Sequence, residues 1–301
     1  MRVLITGGSG FVGQRLCRRL KEAGHQLLVV SRSPDEVRDR LPEGSDIRRS
    51  VLDFVDTPPD AIVNLAGEPI AAKRWSEAQK ERLIDSRVNV TGDLVMLCEQ
   101  LKASLGRMPK VMVSASAMGY YGDQGDREVT EQTPAHDEFA HRLCKRWEEV
   151  ARGAEDYGVR VALLRIGLVL DQGGGSLAKM LPPFKLGLGG RFGDGTQFMP
   201  WIHREDLVRA ILFLLERDDL AGPFNGSAPH PVTNAEFSRT LARQLGRPAL
   251  MPVPALALEV AFGEMARLLL TGADMRPARL QEAGFAFRFP TLEKALADIL
   301  G

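Results

Sequence analysis

Three glycines near the start of the chain, Gly7, Gly10 and Gly13, follow a short apolar strand and precede an apolar helical repeat. Their spacing, G-x-x-G-x-x-G, is typical of a turn in which the backbone comes close to a pyrophosphate. The phosphates would lie at the N-terminus of the next helix, where free N–H groups and the helix dipole favour negative charge. A glycine triplet alone is weak evidence, since tight turns also collect glycine. Because a strand precedes it and a helix follows, the triplet predicts a dinucleotide site.

The end of the second predicted strand, about 20 residues after the last glycine, distinguishes NAD from NADP. An Asp or Glu at that point would bind the ribose 2′-hydroxyl of NAD. This chain has Ser31-Arg32-Ser33 there and no carboxylate. An arginine can pair with a 2′-phosphate through two charge-assisted hydrogen bonds, whereas a carboxylate would repel it. We therefore predict NADP as the cofactor. The alternative is that Arg32 is an ordinary solvated loop arginine.

The elements that must position these residues alternate between short apolar strands and helical repeats. The predicted strands cover residues 3–5, 27–30, 61–64, 110–114 and 159–165, and helices are predicted over residues 76–101 and 139–157. Such alternation predicts a parallel sheet covered on both faces. Since its crossovers are right-handed, the fold class is α/β, a doubly wound parallel Rossmann sheet. Ligands of that fold bind outside the carboxyl ends of the strands.

From about residue 173 the chain becomes rich in glycine and proline and loses its periodicity. Long irregular segments of this kind are usually functional. Beyond them we predict helices over residues 205–216, 234–245 and 255–270, an alternating strand over 285–290 and a final helix over 292–300. The predicted domains are a Rossmann domain over 1–170, with 196–230 partly returning to it, and a smaller, mostly helical substrate region over 171–301. That region ends in a small C-terminal domain from about 247.

Composition excludes several classes of protein. The chain has 301 residues, of which 44% are hydrophobic and 26% charged, as expected of a globular protein. Its 39 basic and 39 acidic residues give no net charge, which disfavours a nucleic-acid-binding module. Its three scattered cysteines predict neither a disulfide framework nor a metal site. Without a transit peptide or a membrane-spanning apolar run, we expect a cytoplasmic protein that binds no membrane.

Four motifs resemble those of a known family: Asn64-Leu65-Ala66-Gly67, Ser114-Ala115-Ser116, Pro200-Trp201-Ile202-His203 and Gly284-Phe285. Together with the glycine turn they resemble the extended, atypical short-chain dehydrogenase/reductases. More narrowly, they resemble the NAD(P)-dependent epimerase-like subgroup with a small C-terminal domain of unknown function. The resemblance covers essentially the whole chain.

The resemblance implies cofactor-binding roles for residues at the carboxyl end of the predicted sheet. They are Gly7, Gly10, Phe11 and Val12 for the pyrophosphate, Ser31 and Arg32 for the 2′-phosphate, Asp53 for adenine, Asn64, Leu65 and Ala66 for the adenosine side, Arg87 as a phosphate or cofactor ligand, and Ile166 beneath the nicotinamide.

The catalytic residues depart from the family pattern. In the superfamily a Tyr-x-x-x-Lys on a helix supplies the acid/base for the alcohol proton, and a serine completes the site. Lys145 has His141 four residues before it, and the alternative register places Ala140 and Cys144 in the two positions. Neither register provides the tyrosine. His141 could in principle act as the acid/base, but we favour the interpretation that it is a solvent-facing residue of a charged helix.

The remaining candidate catalytic residues are Ser116, which matches the family serine, and Tyr121, whose Tyr-Gly turn is often structural in the superfamily. The resulting hypothesis is an NADP(H)-binding oxidoreductase or epimerase-like enzyme that acts on a small polar molecule, such as a nucleotide-sugar. The alternative is a cofactor-binding regulatory or interaction protein with reduced catalysis, since members of the related family are linked by name to cell division. The sequence does not predict an oligomeric state.

Overall fold

The computed structural model describes residues 1–301. The strands are β1 (Arg2–Thr6), β2 (Gln26–Val30), β3 (Asp46–Arg48), β4 (Ala61–Asn64), β5 (Val111–Ala117), β6 (Glu128–Val129), β7 (Arg160–Ile166), β8 (Leu168–Leu170), β9 (Phe198–Met199), β10 (Trp201–His203), β11 (Gly222–Gly226), β12 (Val232–Thr233) and β13 (Asp274–Met275). The α-helices are α1 (Phe11–Glu22), α2 (Pro34–Val37), α3 (Glu77–Leu105), α4 (Phe139–Arg152), α5 (Gly175–Lys185), α6 (Arg204–Glu216), α7 (Asn234–Gln244), α8 (Ala255–Phe262), α9 (Arg267–Leu270), α10 (Ala278–Glu282) and α11 (Leu292–Leu300).

Seven parallel strands form the main sheet, in the order β3-β2-β1-β4-β5-β7-β11. The chain leaves β1 toward one edge of the sheet, through β2 and β3, and then returns to β4 and continues toward the other edge. The direction of winding therefore reverses between β1 and β4. A ligand crevice is expected at this switch point, outside the carboxyl ends of the two strands. The prediction of a doubly wound Rossmann sheet is confirmed.

Hydrophobic clusters cover both faces of the sheet. One cluster of 26 buried residues includes Val3 and Ile5 of β1, and another of 15 includes Leu4 of the same strand. Side chains of a strand alternate between its two faces, so a strand apolar at every position must be covered on both. The helices supply that cover. In α1, for example, Leu16 and Leu20 are fully buried against the sheet.

Helix α3 follows the loop after β4 and forms one wall of the crevice. It begins where the Ser76 hydroxyl accepts a hydrogen bond from the amide of Gln79 at 3.2 Å, an N-cap that satisfies one free helix donor. It ends at Gly106, whose φ of 59° is a left-handed conformation that favours glycine. None of the helices combines the length and hydrophobicity needed to cross a bilayer.

A second hydrophobic core of 14 buried residues lies outside the main sheet. It includes Leu177 of α5, Trp201 of β10, Phe237 of α7 and Leu296 of α11. The last part of the chain contributes to both cores, because Leu280 and Phe285 pack into the cluster that includes Val3. The C-terminal region therefore packs against the Rossmann sheet through apolar contacts.

Three predicted elements are corrected by the structure. Residues 285–290 form no strand, because the amides of Arg288 and Phe289 donate to the carboxylate of Asp206 at 3.0 and 2.8 Å. The helix predicted over 255–270 ends at Gly263, whose φ is 60°. The helix predicted over 139–157 is α-helical only to Arg152 and continues as a 3-10 turn.

Candidate functional site

The glycine turn lies at the switch point of the sheet and fits only glycine at two positions. Gly7 has a φ of 70°, and a β-carbon there would lie 2.6 Å from the carbonyl oxygen of Leu65. A β-carbon at Gly13 would lie 2.2 Å from the carbonyl oxygen of Gly7. The turn after β1 is thus packed directly against the backbone that follows β4. These two close approaches explain why glycine occupies positions 7 and 13 of the motif.

The first turn of α1 presents backbone donors without partners. Gly10 is its N-cap, no side chain caps the helix, and no acidic residue lies in its first turn. The amides of Phe11 and Val12 accordingly have no acceptor within the chain. Free amides at the positive end of a helix bind anions. The geometry fits the pyrophosphate of a dinucleotide.

The predicted 2′-phosphate site lies at the end of β2. Its backbone is held by the Ser31 amide, which donates to the carbonyl of Arg48 on β3 at 3.0 Å. Arg48 itself is occupied, with ion pairs to Asp46 at 2.8 Å and Asp56 at 2.7 Å. Arg32 is exposed and forms no ion pair. It is therefore a cation without a partner at this edge of the sheet.

Asp53 lies in a 3-10 turn after β3, at the same edge. Its side chain is exposed, and one carboxylate oxygen accepts a hydrogen bond from the amide of Ser50 at 3.0 Å. Its carbonyl oxygen accepts from the Arg48 guanidinium. These contacts shape the turn that borders the predicted adenine site, and a contact of Asp53 with adenine remains a prediction.

Asn64, at the end of β4, has a structural role. Its buried side chain accepts a hydrogen bond from the Thr6 hydroxyl at 2.7 Å and donates to Thr91 and Ser114 at 2.8 and 3.1 Å. These three bonds tie together β1, β4, β5 and α3. The side chain consequently fixes the position of the next two residues, Leu65 and Ala66, rather than presenting itself to a ligand.

Arg87 is a partly buried cation without a carboxylate partner. Its guanidinium donates to the carbonyls of Leu83 and Glu68, both at 2.9 Å, and packs 5.2 Å from the ring centre of Trp147. Burial lowers the pKa of Arg87 from its ordinary value. A β-carbon at Gly67 would lie 3.0 Å from its central carbon. Arg87 thus supports the loop after β4 from beneath, at the wall of the crevice.

The packing of α4 against the turn after β5 shows which pair of α4 residues, Ala140 and Cys144 or His141 and Lys145, lies next to the crevice. A β-carbon at Gly119 would lie 3.1 Å from Cβ of Ala140 and 3.8 Å from Sγ of Cys144. Lys145 points away, with 57% of its side chain exposed. His141 contacts the carbonyl of Tyr120 through Nδ1 at 2.6 Å. The positions next to the crevice are therefore Ala140 and Cys144, and neither is a phenol or an amine.

Cys144 does not replace the missing acid/base. Its thiol is buried and lies 3.8 Å from the carbonyl oxygen of Ala117, to which it donates. Burial raises the pKa of Cys144 to about 12. The thiol therefore stays protonated and is a poor general base near neutral pH.

Ser116 belongs to a buried ionic network. Its hydroxyl donates to Oε1 of Glu148 at 2.7 Å, and Glu148 pairs with Arg165 through two bonds of 2.8 and 2.9 Å. Arg165 also lies 3.3 Å from the ring centre of Tyr120. Both charged side chains are almost completely buried, at 5% and 3% exposure. Sequence reasoning missed this pair, although an acidic residue on an apolar helix face and an arginine inside a buried strand are both unusual.

The structure places Tyr121, the second candidate catalytic residue, in the core, and its role in proton transfer remains a prediction. The residue is fully buried, and its hydroxyl donates to Oδ1 of Asn225 at 2.6 Å. Arg165 donates to the same hydroxyl at 3.0 Å. Burial raises the pKa of Tyr121 to about 12. The two hydrogen bonds of its hydroxyl join Tyr121 to Arg165 of β7 and Asn225 of β11.

A cavity of about 160 Å³ lies between the start of α4 and the C-terminal region. Its wall includes Trp75, Glu138, Phe139, Ala140, Arg142 and Arg267. Two ion pairs hold the C-terminal region over it, from Lys80 to Glu264 at 2.6 Å and from Arg267 to Glu138 at 2.9 Å. Ala140, one of the two helix positions in the second register, lines this cavity. Ile166, at the end of β7, pairs with Ala117 on the neighbouring strand.

The sheet order, the open helix N-terminus at the switch point and the free arginine beyond β2 define a dinucleotide-binding protein of the Rossmann class. Residues 3–225 match the NAD dependent epimerase/dehydratase family, and residues 253–299 match a domain of unknown function, DUF1731. The chain therefore belongs to the NAD dependent epimerase/dehydratase family. This confirms the family resemblance of the sequence motifs.

Three relatives illustrate the similarity. The epimerase family protein Mb2239 of Mycobacterium bovis is 41% identical, over 98% of this chain and 96% of that protein. The crystal structure of human epimerase family protein SDR39U1 with NADPH has a TM-score of 0.88 and 36% identity, and covers 99% of both chains. The nucleoside-diphosphate sugar epimerase of Corynebacterium glutamicum has a TM-score of 0.78 and 32% identity, over 100% of this chain and 58% of that one. The NADPH in the human structure agrees with the prediction of NADP.

Proposed function

We propose that this protein binds NADPH along the switch point of the sheet and uses it in an oxidoreductase or epimerase-like reaction on a small polar substrate. The observation that carries the proposal is the pair of unsatisfied groups at the two ends of the groove. The free amides of Phe11 and Val12 fit the pyrophosphate, and the unpaired Arg32 fits the 2′-phosphate. The NADPH complex of the human relative supports the same assignment.

When bound, the nicotinamide would supply hydride transfer. The residues of this chain would position the two reactants. Arg87 and the loop it supports would form one wall, and Ile166 would lie beneath the nicotinamide ring. The cavity beside Ala140 would hold one end of the substrate, since at about 160 Å³ it is smaller than a whole nucleotide-sugar and is lined by both aromatic and charged side chains. The nucleoside-diphosphate sugar epimerase named among the relatives favours a nucleotide-sugar as the substrate.

Ser116 is the candidate catalytic residue that remains on the strand end. Its hydroxyl donates to Glu148, so its oxygen retains lone pairs that can accept a hydrogen bond from a substrate hydroxyl. Helix α4 offers no phenol for proton transfer. In our proposal solvent would supply the proton when a carbonyl is reduced and would take it up when an alcohol is oxidised, and the hydroxyl of Ser116 would orient the reacting group.

The absence of the family tyrosine from α4 favours a second candidate function, a regulatory protein that binds NADPH without efficient turnover. The two candidates share the cofactor and differ in chemistry. Titration calorimetry with NADPH and NADH tests the shared part, and a protein with no affinity for NADPH would exclude both. Hydride transfer to or from nucleotide-sugars, followed by nicotinamide absorbance, tests the difference. Turnover that is lost in Ser116→Ala, with NADPH affinity retained, supports the enzyme, and no turnover with any substrate supports the regulator.

A further inference from the structure

Helix α8 is apolar on every side and yet lies at the surface. Seven of its eight residues are alanine, leucine, valine or phenylalanine, and Glu259 carries its only charge. A helix of this composition belongs in a protein core or an interface. In this chain only Leu258 is buried. The fold of one chain therefore leaves α8 without the partner that its sequence requires.

The outward face of α8 has two parallel rows of side chains. Leu256 and Val260 form a prominent row, each with 70% of its surface exposed. Ala257 and Ala261 form a low row beside it and are also exposed. Both rows have a spacing of four residues, which creates a ridge and a neighbouring groove along the helix.

Two loop segments extend the apolar surface beyond α8. Residues 186–193 run beside residues 248–255, since the amide of Val253 donates to the carbonyl of Arg191 at 2.9 Å. These segments expose four further large side chains, Leu186, Leu188, Leu250 and Met251. Seven of the ten exposed large hydrophobic residues of the protein consequently belong to residues 186–262. We call this set the α8 surface.

The α8 surface is large enough for a stable interface. Its seven large side chains expose on the order of 700 Å², above the roughly 300–600 Å² of the largest apolar patch on a typical monomer. One partner in a standard stable complex buries about 800 Å². The exposed apolar area is thus close to what one half of a stable dimer requires.

We propose that the α8 surface pairs with the α8 surface of a second copy of this chain. A ridge of Leu256 and Val260 beside a groove of Ala257 and Ala261 is complementary to its own copy turned through a two-fold axis. Only one charge lies on the helix, so little desolvation opposes the pairing. A membrane surface is the less suitable occupant, because interfacial helices carry lysine or arginine on a polar face and α8 has neither.

Sedimentation equilibrium of the full-length protein, from about 1 to 100 µM, tests the proposal. We expect a dimer for the wild type and a dissociation constant raised roughly 100-fold or more in Leu256→Glu and Val260→Glu. Leu105→Glu and Met96→Glu are matched controls, since both residues are exposed large hydrophobics on α3. They should leave the dimer unchanged. Circular dichroism and NADPH affinity, the latter unaffected by α8 variants, confirm that each variant is folded.

A covalent test requires no comparison of affinities. Val260→Cys should form a disulfide-linked dimer on mild oxidation, because the copies of residue 260 would lie close to the two-fold axis, whereas Leu105→Cys should not. The native cysteines are all buried and do not compete. A wild type that stays monomeric at the highest concentration would overturn the proposal. So would dimers that survive both glutamate substitutions, or binding of the wild type to neutral lipid vesicles that Val260→Glu abolishes.

Discussion

The polar groups on the two sides of the crevice differ in whether they have partners within the protein. On the side of β1 and β2, the amides of Phe11 and Val12 and the guanidinium of Arg32 have no partner within the chain. On the side of β5 and α4, Ser116, Glu148 and Arg165 satisfy one another and are buried. Unsatisfied polar groups at a surface are available to a ligand, whereas a closed network stabilises the fold.

The comparison separates cofactor binding from proton transfer. The cofactor side is built largely from backbone, and glycines give that backbone its shape. The other side has kept a serine at the strand end, while an alanine and a protonated thiol occupy the helix positions of the family dyad. The molecule thus has unpartnered donors on one side of the crevice, and on the other side a cavity beside a buried ionic network.

The largest expected effect is a loss of stability in Glu148→Ala, which tests whether the network of Ser116, Glu148 and Arg165 stabilises the fold. Glu148→Ala would leave Arg165 buried and without a countercharge, so we expect a loss of about 3–5 kcal/mol in the free energy of unfolding. Urea denaturation measures it. Glu149→Ala is the matched control, because that neighbouring carboxylate is 60% exposed. Its change should stay within about 0.5 kcal/mol. If the two variants were equally stable, the network would not be the stabilising element described above.

On the cofactor side, the backbone shape should matter as much as charge. A β-carbon at Gly13 meets backbone atoms of Gly7 and Gly8 at 2.2 and 2.7 Å, which cannot move aside freely. Gly13→Ala should weaken NADPH binding roughly 100-fold, or about 2.7 kcal/mol, in titration calorimetry. Gly92→Ala is the control, since nothing lies within 4 Å of its added methyl group. Undiminished affinity in Gly13→Ala would show that the turn does not cradle the pyrophosphate.

Charge on the cofactor side is tested by Arg32→Asp. We expect NADPH binding to weaken by about 1–3 kcal/mol, the scale of a lost charge-assisted hydrogen bond. NADH, which lacks the 2′-phosphate, should bind as before. Arg38→Asp, another exposed arginine nearby, controls for the general change in charge. Equal losses for the two cofactors would mean that Arg32 does not recognise the 2′-phosphate.

The smallest expected effect is a pH dependence of stability that arises from His203. This is a further polar group whose partners lie within the protein. Its Nδ1 accepts the Glu205 amide at 3.1 Å as the N-cap of α6, and its Nε2 lies 3.3 Å from the Asp298 carboxylate. Burial lowers the pKa of His203 below its ordinary 6.5. Below pH 6.5 the unfolded chain binds this proton first, so acidification should cost stability, by at most about 1.4 kcal/mol per pH unit.

Thermal unfolding between pH 7.5 and 5.5 measures this dependence. His203→Asn keeps a side chain that can cap a helix but does not titrate, so the slope should decrease. His230→Asn, at an exposed histidine, should retain the full slope. An identical slope in all three proteins would assign the pH dependence to other groups.

The cofactor side could be predicted from sequence because its signals are local. The glycine spacing and Arg32 lie within one strand-turn-helix-strand unit, and short-range sterics fix their positions. The α4 side could not, because its contacts join residues far apart in the chain. Arg165 meets Glu148 and Tyr121 only after the strands assemble, and the sequence alone did not show that Tyr121 points into the core. The predicted strand over 285–290 failed for the same reason, since Asp206 takes its amides.

The ion pairs that hold the C-terminal region over the cavity impose an order of assembly. Arg267 and Glu138 are separated by 129 positions, whereas the glycine turn, Arg32 and the end of β4 all lie within the first 66 residues of the sequence. During synthesis the groove for the dinucleotide can form while the wall of the cavity is still being translated. A chain that stops before Glu264 would still have the glycine turn and Arg32, but it would lack Glu264 and Arg267, which form the two ion pairs across the cavity. Part of the cavity wall would then be missing.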